Sequence, residues 1–156
     1  MPLTITFQIM GDVVLSRGLS RWGENIQNFT EVWVQIQDDF FQIESEQFSS
    51  QGARSGMPWA PLSLNYNAWK QRYYPGQPIL QLTGELANEM TGGLISEITE
   101  KSLRMYPTLP RAAYHQRGNP RLPARPVVQL TEDDKMRWMK LIHRFVYEKA
   151  REEGLV

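Results

Sequence analysis

The chain has no cysteine among its 156 residues. That excludes disulfides, thiolate nucleophiles and zinc–thiolate centres, and it suits a reducing compartment. Histidine is scarce: only His115 and His143 occur, too few for a histidine-built metal site. No apolar run approaches the ~18 residues a membrane span needs. Met1–Met10 shows neither the basic start nor the apolar block of a secretory leader. Net charge is missing as well, with 17 Lys and Arg against 17 Asp and Glu. A free-standing nucleic-acid binder is usually basic overall, so this balance argues against one. No G-x-S-x-G, Walker A or H-E-x-x-H pattern occurs.

What is present is globular in proportion. Hydrophobic residues make up 41% and charged residues 22%, near the averages for folded domains. The length predicts a single domain over 1–156. Eleven glycines and ten prolines spread along the chain exclude a coiled coil. The zero net charge hides a split. Residues 1–50 carry seven acids and two bases, a balance of −5, and residues 51–156 carry fifteen bases and ten acids, a balance of +5. Within 101–125 there are six bases (Lys101, Arg104, Arg111, Arg117, Arg121, Arg125) and no acid. Such a split reads either as pairing within the chain or as head-to-tail association of acidic and basic faces in a closed ring.

Periodicity gives the elements. Leu3, Ile5, Phe7 and Ile9 alternate with polar residues, as in a half-buried strand. Leu15, Leu19, Trp22 and Ile26 share a helical face. Trp33, Ile36, Phe40 and Ile43 lie in a stretch whose length, about Phe29 to Phe48, favours helix over strand. Ser63 is placed to cap a short helix that puts Tyr66, Trp69 and Tyr73 on one face. Thr83 is placed to cap another over Glu85–Met90. The segment 94–106 reads as a hairpin, with Leu103 and Met105 alternating against Ser102, Arg104 and Tyr106. Thr131 and the acids behind it start a helix over 132–152, with Met136, Met139, Leu141, Ile142, Phe145 and Val146 as its apolar residues and Gly154 as its stop. Between them, residues 107–126 hold five prolines and read as a long Pro/Arg-rich extended loop, anchored by Leu109, Tyr114 and Leu122. The fold class is α+β: a small, mainly antiparallel sheet with two or three helices packed on one face.

No catalytic constellation stands out. His115 lacks a neighbouring acid or nucleophile in sequence and reads as a structural or interface residue rather than a base. Asp38 and Asp39 are helix neighbours about 100° apart, which suits a solvated face. Trp59, Tyr66, Trp69, Tyr73 and Tyr74, with Lys70 and Arg72, read as a core or interface cluster, or as a platform for stacking bases.

Four blocks recur in a recognisable order. They are Trp59-Ala60-Pro61-Leu62-Ser63, followed by Tyr66 and Lys70; Ile79-Leu80-Gln81-Leu82-Thr83-Gly84-Glu85-Leu86; Ala113-Tyr114-His115-Gln116-Arg117-Gly118; and Leu122-Pro123-Ala124-Arg125-Pro126. The chain resembles the phage virion morphogenesis family, the tail completion proteins of Mu-like phages, over about residues 55–150. The resemblance implies a non-enzymatic virion protein without cofactor or metal, assembled in the bacterial cytoplasm. It implies a ring subunit at the neck or tail end, either a tail terminator or a head–tail joining protein. Its partners would be further copies of itself (a hexamer), adjoining connector or tail-tube proteins, and DNA in the channel by non-specific contact, with no membrane. The interface positions carried over are Trp59, Pro61, Leu62, Lys70, Leu80, Thr83, Gly84, Leu86, Tyr114, His115, Gln116, Gly118, Arg121, Pro123, Arg125 and Pro126. Two other readings compete: a non-specific nucleic-acid module using 101–125, and a small hydrolase using His115.

Overall fold

The computed structural model describes residues 5–8 and 27–152. They form β1 (Ile5–Gln8), α1 (Thr30–Ser49), α2 (Leu64–Tyr73), α3 (Glu85–Asn88), β2 (Ile95–Ile98), β3 (Ser102–Tyr106), α4 (Arg111–Arg117) and α5 (Glu132–Glu152). The fold is α+β with helices dominant, as the fold class expects, and the described α-helices number five. The anticipated helix over Leu15–Ile26 and the stop at Gly154 lie outside the described residues. The chain divides into two compact units. The first contains, of the described residues, 5–8, 27–39, 96–105 and 131–152. The second contains 40–95 and 106–130.

In the first unit the sheet runs in the order β1-β3-β2. β1 is antiparallel to β3, with Ile5 opposite Met105 and Gln8 opposite Ser102. The connection from β2 to β3 is too short for anything but a hairpin. Thr99 closes it: its N–H donates to the Ser102 carbonyl at 2.8 Å, and its hydroxyl accepts from the Ser102 N–H at 3.0 Å. Alternation along β3 buries Leu103 and Met105 completely. The Phe29 N–H donates to the Glu100 carbonyl at 2.8 Å, which ties the start of α1 to this turn. Val32, Trp33 and Ile36 continue the buried stripe of α1, and Phe29 packs on Phe145 of α5 with ring centroids 5.5 Å apart.

α5 starts with a reciprocal cap. The Thr131 hydroxyl accepts from the Asp134 N–H at 3.2 Å, and the Asp134 carboxylate accepts from the Thr131 N–H at 2.9 Å and its hydroxyl at 2.8 Å. The same carboxylate is fully buried and pairs with Arg137 at 3.0 Å. The buried face of α5 is Asp134, Trp138, Phe145, Val146 and Ala150. Met136 and Met139, which the spacing puts among the apolar residues, are about half exposed. Trp138 occupies the buried position, and its indole N–H donates to Asp39 at 2.6 Å while Arg137 grips the same carboxylate at 2.8–3.1 Å.

In the second unit the later turns of α1 bury Phe40, Ile43, Glu44, Gln47 and Phe48. The Ser63 hydroxyl accepts from the Tyr66 N–H at 3.4 Å and caps α2 as expected. α3 differs from expectation. Its N-cap is Gly84 at φ +80°, not Thr83, and an added Cβ there would meet only the Asn88 side chain at 3.7 Å. The left-handed backbone, rather than a close approach, is what calls for glycine. α3 runs on as a wide turn through Glu89–Gly93.

The segment 107–126 is not an extended loop. Arg111–Arg117 is helical, with Pro110 at its N-cap, where the fixed φ of proline is an advantage. Asn119 and Leu122 then form an antiparallel bridge. Five prolines limit strand pairing but permit a helix that begins on one of them. The anchors also differ: Tyr114 is 63% exposed, whereas Ala112 and Ala113 are buried, as is Val127 just beyond the segment.

The charge split is partly consumed inside the chain. Glu46 pairs with Arg54 at 3.1 Å, and Asp39 pairs with Arg137. Glu44 is fully buried with neither carboxyl oxygen hydrogen-bonded. Burial pushes its carboxyl well above the usual range, against the weaker pull of Arg54.

Two measurements check these packing assignments. Asp134→Ala should cost about 2 kcal/mol in chemical denaturation, because it removes the cap and the Arg137 partner together. Met139→Ala should change stability by less than about 0.5 kcal/mol. For Glu44, the unfolded chain ionises near pH ~4.3 while the folded chain holds its proton to higher pH. Above that point the unfolded state binds fewer protons, so stability falls as pH rises toward the folded pKa. Glu44→Gln should remove this fall and raise the melting temperature at pH 7. A parallel pH profile for the two proteins would contradict the assignment.

Candidate functional site

All four sequence blocks lie in the second unit, and hydrogen bonds join the first, third and fourth. Trp59 is buried edge-on against Phe48, with centroids 5.2 Å apart, and its indole N–H donates to the Pro126 carbonyl at 2.7 Å. The Gln47 side chain donates to that same carbonyl at 3.0 Å. Arg125 returns the contact: its Nε donates to the Ala60 carbonyl at 2.7 Å and its Nη2 to the Pro61 carbonyl at 2.9 Å. First and last blocks are thus bonded reciprocally. The third block joins through the Arg125 N–H, which donates to the His115 carbonyl at 2.8 Å. The Gln116 amide makes a paired contact with the Val128 backbone, 3.0 Å in each direction.

Gly118 makes this arrangement possible. Its φ is +66°, and a Cβ there would fall 2.5 Å from the Ala124 nitrogen and 2.8 Å from the Leu122 carbonyl. Both the backbone conformation and the lack of space require glycine. Ahead of α4, the Glu89 carboxylate accepts from the Thr108 N–H at 2.6 Å and the Leu109 N–H at 3.2 Å, and also from the Thr108 hydroxyl. Its negative charge at the start of a helix is favourable. Glu89 lies outside the four blocks, and sequence reading passed it over.

Around these contacts opens a cleft of about 390 Å³. Leu62, Leu80, Leu82, Leu86, Leu122 and Pro123 supply its apolar wall, and Lys70, Arg111, His115, Arg121 and Arg125 its basic groups. Leu80 sits at φ +60°, a left-handed conformation that costs a non-glycine residue energy and that often marks a functional site. Lys70 is fully buried, and its ammonium donates to the Pro78 carbonyl. Burial lowers its pKa. Burial, then the Arg125 and Arg111 guanidinia, hold the His115 imidazole below the ordinary histidine range. Its Nδ1 is buried without a partner. Arg111 is ion-paired with Glu85, the one acid in the lining among the described residues. Among the described residues, no three acids or histidines converge to hold a metal.

Of the sixteen positions drawn from the blocks, ten line the cleft: Leu62, Lys70, Leu80, Thr83, Gly84, Leu86, His115, Arg121, Pro123 and Arg125. Trp59, Pro61, Gly118 and Pro126 are outside the lining and make contacts between blocks, and Gln116 bonds Val128 just beyond the last block. Tyr114 is outside the lining and exposed. Ser63, Tyr66, Gln81, Leu82, Glu85, Arg111 and Leu122 also line the cleft and are not among the sixteen. Arg125 corrects one expectation directly. It is 4% exposed, and two of its side-chain donors are engaged within its own unit rather than projecting from a loop.

The aromatic cluster separates in two. Trp59 is core. Tyr66, Trp69, Tyr73 and Tyr74 are exposed, and Trp69 lies 5.5–5.7 Å from each of the other three rings.

Gly118→Ala should destabilise the chain by about 3 kcal/mol, since it combines backbone strain with overlap. Gly84→Ala, which meets only an ordinary contact with the Asn88 side chain, should cost about 1 kcal/mol. Equal costs in urea titration would show that the close approach at Gly118 is not a constraint.

Comparison with known proteins agrees with the blocks and extends them. The model of the phage virion morphogenesis family matches residues 12–146, including most of the N-terminal third that the blocks leave uncovered. Searches of curated proteins and of solved structures return no match. With most of its length matched, the chain belongs to the phage virion morphogenesis family and is a structural, non-enzymatic phage virion protein.

Proposed function

We propose that this virion protein is a ring subunit at the neck or tail end, acting in tail completion as a terminator or head–tail joining protein. The observation that carries the reading is the inverted character of α2. Its one buried residue is Lys70, while Leu64 is 88% exposed and Tyr66, Trp69 and Tyr73 are 41–58% exposed. A helix that hides its lysine and shows its aromatics is unfavourable in an isolated subunit. Contiguous exposed aromatics mark protein interfaces, where tyrosine and tryptophan carry much of the binding energy. A ring subunit meets identical neighbours on two sides and has a use for such a surface.

The charge pattern supports contacts dominated by aromatics more than by opposed acidic and basic faces. Asp39 and Glu46 are paired internally and Glu44 is buried. On the basic side, Arg111 pairs with Glu85 and Arg125 is buried. What remains for contact between subunits, or with passing DNA, is a smaller set that includes Lys101, Arg104, Arg117 and Arg121, all exposed.

The test is incorporation into particles. Wild-type chain should appear in purified tails or virions at a fixed copy number and form a closed oligomer by light scattering, alone or with tails. Trp69→Ala combined with Tyr73→Ala should retain the circular dichroism and melting temperature of the parent but lose incorporation at least about tenfold. A monomeric chain absent from mature particles would refute the proposal.

A further inference from the structure

Two charged side chains in the lining of the cleft are buried without a counter-ion. Lys70 is 1% exposed and Arg125 is 4% exposed. Their bonding partners are neutral carbonyls: Pro78 for Lys70, and Ala60 and Pro61 for Arg125. Among the described residues, neither has a carboxylate within salt-bridge distance. Carbonyl dipoles offset only part of the cost of removing a cation from water, and a buried charge normally has an opposite charge beside it. Arg125 has five N–H donors, and the Ala60 and Pro61 contacts take two of them. Nearby stand Arg121, which is exposed, and His115, whose buried Nδ1 has no partner. Among the described residues, the only acid in the lining is Glu85, already held by Arg111. The cleft therefore has an excess of positive charge set against a wall of leucines.

We infer that this cleft is a docking site for an extended peptide segment of another virion protein, one that presents a carboxylate side chain next to an aliphatic one. The carboxylate meets Arg121 and the remaining donors of Arg125, and the aliphatic group covers Leu80, Leu86 and Leu122. The leucine wall favours a peptide, which can set an aliphatic side chain directly beside a carboxylate, over the evenly charged phosphodiester backbone of a nucleic acid. The size suits this use, since binding pockets for compact ligands and side chains begin at about 300 Å³. The inference stands apart from the ring reading, because binding to the cleft is measured on the isolated chain and ring formation on particles.

The test is an NMR titration of the intact chain with three probes. One is an acetylated, amidated hexapeptide alternating leucine and glutamate. The second is its leucine–glutamine counterpart, and the third is a ten-nucleotide oligothymidylate. The glutamate peptide should shift resonances of Leu80, Leu86 and His115, and the glutamine peptide should bind about tenfold more weakly. Arg121→Glu changes an exposed residue, so its spectrum should keep native dispersion while affinity for the glutamate peptide falls about fivefold. Equal binding of the two peptides, no shift at millimolar peptide, or an unchanged affinity in Arg121→Glu would overturn the proposal. Shifts of the same resonances by the oligonucleotide in preference to the peptide would assign the cleft to phosphate instead.

Discussion

A buried guanidinium joins the parts of the cleft unit. Arg125 bonds the Ala60 and Pro61 carbonyls with its side chain and the His115 carbonyl with its backbone, so that three of the four blocks depend on one residue. The planar, forked head suits this task, since it can address two adjacent carbonyls at once, which a lysine cannot do from fixed positions. Proline supports it in an unexpected way. Pro126 has no N–H to contribute, but its carbonyl accepts from both Trp59 and Gln47. A segment with few backbone donors is thus ordered largely through side chains.

The same economy appears in the charges. A chain with zero net charge and a −5/+5 split suggests two opposed faces. The folded protein instead places Asp39 against Arg137 and Trp138, Glu46 against Arg54, and Glu44 inside the protein. Charges that are paired or neutralised within a subunit contribute little to recognition between subunits. Excess positive charge persists at the cleft, where Lys70 and Arg125 face only neutral partners.

Elements that rest on local periodicity were legible in the sequence. α1 differs from the anticipated Phe29–Phe48 by one residue at each end, and the hairpin and the helix over 132–152 appear where the alternation and the Thr131 cap place them. The family blocks led to most of the cleft lining as well. What was hidden depended on distant partners. Trp138 rather than Met139 faces inward because Asp39, 99 residues away, receives its indole N–H. The helix within 107–126 was obscured by its prolines, although Pro110 in fact begins it. Glu89 gave no sign in sequence of its place at Thr108 and Leu109, because nothing local requires a carboxylate there.

The bonds that close the cleft span 64 to 79 residues of chain. During synthesis the Trp59 indole waits for Pro126, and the carbonyls of Ala60 and Pro61 wait for Arg125. Contacts of such high sequence separation form late and carry a loop-closure cost before they repay it. A nascent chain that ends short of Val128 lacks the partner of Gln116 as well. A truncated product still on the ribosome that ends before α4 therefore has the first two blocks but none of the bonds that tie the first block to the last.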